Sequence, residues 1–217
     1  MKTLLGVDVG TTSLKMVLFD TEGNPLKTVS KSYTLETSGD RVEFDPENYW
    51  QMFSEGYREI KAEYPVTALA IDTQCETLIV TDGEGKALYN AIVWLDNRAT
   101  EQAEKIDKKF GVKTVYEVTG QPEITATWPA CKLMWLKENE AEIFNKIEKI
   151  FLLEDYLIYR LTGQFVTEKT LQSSSLYLDI RQGAWWKEML DFIGVRPDQL
   201  PELWDSGKVI GTYDGTV

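Results

Sequence analysis

Leu4-Leu5-Gly6-Val7-Asp8-Val9-Gly10-Thr11-Thr12-Ser13-Leu14-Lys15-Met16-Val17-Leu18-Phe19 decides how this chain is read. A short apolar run ends in an acid, a bend of glycine and hydroxyls follows, and a second apolar run leaves through Lys15. Two strands joined by a tight turn account for the pattern. Such a turn offers N–H and hydroxyl donors to phosphate oxygens, and a strand-end carboxylate can take a hydrated Mg2+. Asp8 is therefore the candidate metal ligand. Gly10, Thr11, Thr12 and Ser13 are candidate phosphate donors, and Lys15 adds a positive charge close by. An ordinary hairpin, in which Gly10 supplies a permissive dihedral and the hydroxyls saturate the turn, explains the same residues. The motif alone leaves both readings open.

At 217 residues and 43% hydrophobic content the chain can bury a sizeable core as one domain, or as one large domain with an appendage. Its 23 basic and 35 acidic residues give a net charge of -12. That balance argues against a nucleic-acid footprint and against an anionic membrane surface. A phosphorylated ligand stays compatible, because one Mg2+ and local amides outweigh a diffuse distant field. No stretch approaches the roughly 18 apolar residues that would span a bilayer, and the start reaches Asp8 before a signal-type apolar core could form. A cytoplasmic location is expected. Cys75 and Cys131 stand far apart without CxxC spacing, so no zinc site or disulfide framework is indicated. The chain has no histidine, which removes histidine triads and most transition-metal sites. Chemistry here must run on carboxylates, amides, hydroxyls, Lys, Arg and bound metal.

Along the chain, strands are predicted near Leu4 to Val7, Lys15 to Phe19 and Leu26 to Tyr33, an antiparallel meander turning at Asp20 to Pro25. Asp45-Pro46 opens a helix, with Tyr49, Phe53, Tyr57 and Ile60 on its buried face. Val66 to Ile71 reads as a strand ending at Asp72. Leu78 to Val80 and Ala87 to Tyr89 read as a hairpin around Asp82-Gly83-Glu84-Gly85. Asp96 or Asn97 is expected to cap the next helix. The chain is then mostly helical to about Arg160, with a capping box at Asn139 and Glu142 and a strand from Ile147 to Leu153. Short strands follow at Phe165 to Thr167 and Ser175 to Ile180, then a helix over Trp186 to Ile193. Alternating sheet and helix argue an α/β domain.

Three further clusters carry possible chemistry. Gln74, Cys75 and Glu76 follow a buried strand, where α/β sheets place ligand groups; on an extended segment Gln74 and Glu76 would point the same way and could grip vicinal hydroxyls. A solvated surface connection is the plainer alternative. Trp94, Asp96 and Arg98 suit a polyol, an apolar wall beside charged groups, and equally suit a core Trp followed by a helix cap. Trp128 opens a helix and could lie near a ligand, whereas Trp135, Trp185 and Trp186 read as core. The triple serine Ser173 to Ser175 reads as a cap or turn filler. Neither GxxxxGK[ST] nor GxGxxG occurs.

Taken together, Asp8-Val9-Gly10-Thr11-Thr12-Ser13, Thr73-Gln74-Cys75-Glu76-Thr77, Ala91 to Ala99, Lys132-Leu133-Met134-Trp135-Leu136, Leu153-Glu154-Asp155-Tyr156-Leu157 and Arg160-Leu161-Thr162-Gly163 resemble the N-terminal domain of the FGGY carbohydrate kinases. The likeness runs over 1–217. It implies an actin and ribonuclease H-like ATPase fold, a mixed sheet with an opening antiparallel meander flanked by helices. It implies ATP with Mg2+ and phosphorylation of a sugar or polyol, a ketose such as xylulose first, with glycerol or erythritol as alternatives. By position, Asp8 falls at the metal and phosphate carboxylate, Gly10 to Ser13 at the phosphate turn, and Lys15 near the transferred phosphate. Gln74, Cys75 and Glu76 fall on one substrate segment, and Trp94, Asp96 and Arg98 on another. Cys75 stands where glycerol kinases carry Arg and Thr127 where they carry Tyr; Cys75-Glu76 replaces the Met-His pair of xylulokinases.

The catalytic base and the adenine site are expected in a second domain beyond Val217. The run from Gly207 to Val217 reads as a cut near the interdomain crossover, so the lobe alone is expected to be inactive. A homodimer is an additional expected state. Rival readings are an actin- or chaperone-like ATPase lobe and a non-catalytic sugar-binding domain.

Overall fold

The opening alternation builds a sheet whose one face is apolar. In the computed structural model, which describes residues 2–213 and 215, β1 (Leu4–Val9) pairs antiparallel with β2 (Ser13–Phe19), and β2 with β3 (Pro25–Ser32). Leu5, Val7, Val9, Leu14, Met16 and Leu18 all point into the core, as a period of two requires. A hairpin that sequence reading passed over follows, β4 (Glu36–Ser38) and β5 (Arg41–Phe44). It turns at Gly39, whose φ of 60° explains the glycine.

Helix α1 (Pro46–Lys61) starts as predicted, with Pro46 in its first turn and the Asp45 carboxylate accepting from the Glu47 N–H at 2.9 Å. Tyr49, Phe53, Tyr57 and Ile60 are buried. Gly56 lets this helix lie close on β2: a Cβ there would come within 2.9 Å of Met16 Sδ. Strand β6 (Ala68–Thr73) then joins β1 in parallel, giving the order β3-β2-β1-β6.

The next elements are β7 (Leu78–Thr81), β8 (Ala91–Ile92), α2 (Thr100–Phe110), α3 (Val112–Thr119), α4 (Pro129–Asn139), α5 (Ala141–Phe144), β9 (Lys149–Leu152) and α6 (Leu153–Thr162). The strands form a second sheet, β4-β5-β8-β7-β9, antiparallel throughout. It is a middle layer. Leu78, Val80, Ile92 and Ile150 face the helical core that includes residues of α2, α3 and α4. Ile79, Ala91, Val93 and Phe151 face the core shared by the meander, α1 and α6. Two-sided burial explains why β7 lacks polar alternation.

The remainder comprises β10 (Val166–Glu168), α7 (Lys169–Gln172), β11 (Leu178–Asp179), β12 (Ala184–Trp185), α8 (Lys187–Ile193) and β13 (Glu202–Trp204). Trp135 and Trp186 are buried, and Trp185 is partly buried against the same core. The Ser173 and Ser174 hydroxyls fold back onto the carbonyls of Thr170 and Leu171. Asp214, Thr216 and Val217, part of the terminal stretch read as an interdomain cut, lie outside the described residues. No helix among the described residues is long and apolar enough to cross a membrane.

Three local expectations need correction. Neither Asp96 nor Asn97 caps α2: the cap position is Ala99, with no side-chain bond, because the Asp96 carboxylate binds elsewhere. The capping box at Asn139 does not form; Asn139 donates to the Trp135 carbonyl at 3.0 Å, and Glu140 holds the cap position without a side-chain bond. The hairpin after Val80 reduces to one bridge, Thr81 to Ala87, and Asp82 Oδ1 holds its turn by accepting from the N–H groups of Glu84 and Lys86.

Two acids at the start of α6 make stability depend on pH. Asp155 is fully buried, and burial pushes its carboxyl up to about 7 although the Leu152 N–H and Gln172 Nε2 donate to it. Burial, then the charges of Asp155, Glu168 and Asp72, push Glu154 up to about 8. Both values lie above those of the unfolded chain, so the folded state holds more protons and loses stability as pH rises. A thermal melt is expected to fall between about pH 5 and about pH 7, and Asp155→Asn to flatten part of that slope. Above that window the depressed ammonium of Lys132, at about 7, acts in the opposite direction.

Candidate functional site

Strands β1 and β6 run parallel, so both chains leave the first sheet at the same end. Register sets Asp8 beside Lys15 on one side and beside Asp72 on the other. Directly opposed residues share a face, and all three side chains are exposed. The turn after Asp8 is closed by the Gly10 N–H donating to the Ser13 carbonyl at 3.0 Å. Gly10 is not in the left-handed region, so a permissive dihedral is not its reason. A Cβ on it would meet the Ser13 carbonyl oxygen at 3.6 Å and Asp8 Oδ1 at 3.9 Å, ordinary contacts.

Tyr33, at the end of β3, braces this turn. Its hydroxyl donates to the Gly10 carbonyl, and its N–H donates to the Thr12 carbonyl at 3.0 Å. Burial, with the charge of Asp8, pushes the phenol up to about 12, so it stays a donor at neutral pH.

The segment expected to be extended, Gln74 to Glu76, is a tight turn. The chain passes there from β6 in the first sheet to β7 in the second, which leaves no room for an extended run. Gln74 turns inward: its Nε2 donates to the Tyr49 hydroxyl at 2.9 Å and to the Tyr33 hydroxyl at 3.5 Å. Its N–H donates to the Val9 carbonyl at 2.8 Å. Cys75 is exposed, and Glu76 is half-buried with φ 59°. Gln74 and Glu76 thus do not point together as an extended strand would have them. Burial, then the charges of Glu76 and Asp72, raise the Cys75 thiol to about 11, which keeps it protonated at neutral pH. The buried Thr73 Oγ1, Gln74 Oε1 and Thr77 Oγ1 have no hydrogen-bond partner among the described residues. Such orphaned polar atoms are uncommon and point to an outside partner.

Trp94 meets the phosphate turn directly. Its indole is 36% exposed, and Nε1 donates to Thr11 Oγ1 at 3.1 Å. Asp96 and Arg98 behave differently. Arg98 Nε and Nη2 grip Asp96 Oδ1 and Oδ2 at 2.8 and 2.6 Å. Arg98 Nη2 also pairs with Glu43 Oε1 at 2.6 Å, and the guanidinium stacks 4.9 Å from the Trp135 ring centroid. Asp96 also accepts from the Val42 N–H at 2.6 Å and the Arg98 N–H at 3.0 Å. Asp96 is fully buried and the Arg98 side chain is 3% exposed. The pair ties the Trp94 segment to β5 from within. Trp128 donates to the Glu123 carbonyl at 3.1 Å and packs on the helical core.

The structure therefore gathers Asp8, the Gly10 to Ser13 turn, Lys15, the 74–76 turn and Trp94 around one end of the first sheet. Sequence reading missed Tyr33 as the brace and Tyr49 as the partner of Gln74. Both were legible only as a strand end and a core helix face. Among the described residues no group of three or more His, Cys, Asp or Glu side chains could hold a metal by itself. A divalent cation carried by phosphate oxygens and one or two carboxylates fits Asp8, with Asp72 in register beside it.

The model of the FGGY family of carbohydrate kinases, N-terminal domain, matches residues 3–216. The xylulose kinase of Staphylococcus xylosus is 30% identical over 207 residues, covering 94% of this chain and 43% of that protein. Among solved structures, a ligand-bound xylulose kinase from Lactobacillus acidophilus superposes with a TM-score of 0.92 at 30% identity, over 99% of this chain and 44% of the other. The glycerol kinase of Plasmodium falciparum with ADP gives 0.87 at 27% identity, over 99% and 45%. The chain spans less than half the length of these relatives. The fold is the actin and ribonuclease H-like ATPase fold, in the form these kinases share. With nearly its whole length matched, the chain belongs to the FGGY family of carbohydrate kinases, as that family's N-terminal domain.

Proposed function

We propose that this chain is the acceptor-binding lobe of an ATP- and Mg2+-dependent carbohydrate kinase, which transfers the γ-phosphate to a hydroxyl of a ketose such as xylulose. One observation carries the reading. The hydroxyl-rich turn and the Trp94 wall are joined by the Trp94 to Thr11 hydrogen bond, beside Asp8, Lys15 and the orphaned acceptor Gln74 Oε1. A filament or chaperone lobe has no use for an exposed indole and a buried free amide oxygen at that place. The relatives named above act on xylulose or glycerol, and one was solved with ADP.

In this reading Asp8 holds the metal, and the donors of Thr11, Thr12 and Ser13 orient the phosphates, with Lys15 adding charge. Trp94 offers an apolar face to the sugar's C–H groups, and Gln74 Oε1 accepts from a hydroxyl. Asp96 and Arg98 act from beneath, holding Trp94 in place. Bound Mg2+ would neutralise the charge that develops as the phosphoryl group moves. The base that accepts the hydroxyl proton and the adenine site belong to the part of the kinase outside this chain.

The test is an ADP-release assay on the complete kinase with xylulose, ribulose, glycerol, erythritol and gluconate. Turnover on a ketose of about 1 to 100 per second is expected, with none from the 217-residue chain by itself. Activity confined to glycerol or erythritol would move the acceptor to polyols. ADP release that no acceptor stimulates would overturn the kinase reading.

A further inference from the structure

Lys132 is fully buried on α4, a rare place for a lysine. Its ammonium donates to the Glu76 carbonyl at 3.1 Å and to the Val93 carbonyl at 2.9 Å. Those carbonyls belong to different walls of the candidate site. Glu76 closes the turn that follows β6, and Val93 immediately precedes Trp94. Glu76 keeps a left-handed backbone, φ 59°, which a residue with a side chain holds only where its surroundings impose it. Burial pushes the ammonium down, while the charges of Asp96 and Glu76 hold it up.

We propose that Lys132 is a positioning residue for the acceptor: one ammonium clamps the backbone of both walls, and so sets the gap between the 74–77 turn and Trp94 in which the sugar would lie. The inference rests on the function proposed above. It differs from a general stabilising role in its target. The phosphate turn hangs from β1, β2 and Tyr33, so loosening the clamp should disturb the sugar side far more than the nucleotide side.

In the complete kinase, Lys132→Met is expected to raise the acceptor KM about 10- to 100-fold, as ångström-scale misplacement does. The KM for ATP should stay within about twofold. Hydrogen exchange measured without substrate should quicken at residues 74–77 and 93–97 and stay unchanged in β1 to β3. Should Lys132→Met fail to fold, Lys132→Gln, which keeps one amide donor, should show the same pattern at smaller size. Equal shifts in both KM values, no shift in either, or faster exchange throughout the molecule would each overturn the proposal. A parent enzyme that phosphorylates no sugar would instead overturn the functional reading, and the local exchange pattern would still decide whether the clamp exists.

Discussion

Asp8→Asn in the complete kinase is expected to cut kcat about 1,000-fold at saturating acceptor, with a melting midpoint unchanged to within about 0.5 kcal/mol of stability. The two halves of that expectation have separate causes. Asp8 lies at the end of β1 with its side chain exposed, its neighbours across the strands being Lys15 and Asp72. Removing its charge therefore opens no cavity and orphans no buried partner. The catalytic loss follows from electrostatics. A cation shared with phosphate oxygens depends on few protein charges, and the amide of Asn supplies none. Steady-state ADP release and a thermal melt on the same preparation check both halves. Retained turnover would remove Asp8 from the phosphate site. A large fall in stability would assign it a structural role instead.

Asp96→Ala should act in the opposite way, costing about 3 kcal/mol of folding stability. The lost carboxylate serves four donors at once: the Val42 N–H, the Arg98 N–H, and two guanidinium nitrogens of Arg98. Glu43 remains near Arg98, which places the cost at the low end for a broken buried ion pair. Replacing both partners, as in Asp96→Leu with Arg98→Met, should recover much of the loss, because no unpaired charge is then left inside. Urea unfolding of the single and double variants measures the coupling. If Asp96→Ala cost less than about 1 kcal/mol while the acceptor KM rose steeply, the carboxylate would touch sugar directly.

These two acids show how far a one-dimensional reading reaches. Asp8 was legible as a site residue because its whole argument is local: an apolar run, an acid, a bend rich in donors. Asp96 and Arg98 were legible as a charged cluster beside a Trp. Their burial against Glu43 and Trp135 was not, since those residues come from distant parts of the chain. Gln74 and Glu76 illustrate a further limit. Their spacing fits an extended segment, yet the change of sheets between β6 and β7 forces a turn that sends Gln74 inward and Glu76 into the left-handed region. The β4–β5 hairpin went unseen because Glu36 to Ser38 is polar and exposed, so alternation carried no signal.

By itself the sequence determined the meander, the start of α1, the α/β class and the phosphate-type bend, because strand alternation, a proline behind an acidic cap and a hydroxyl-rich turn act over a few neighbouring residues. The tertiary structure alone decided that the chain builds two sheets, that Trp94 reaches Thr11, that Arg98 closes on Asp96 and Glu43, and that Lys132 binds the carbonyls of Glu76 and Val93. Most of those contacts join residues tens of positions apart. Whether a polar side chain there faces solvent or a partner depends on which layer covers it, and burial of that kind is a property of the packed layers rather than of any local stretch of chain.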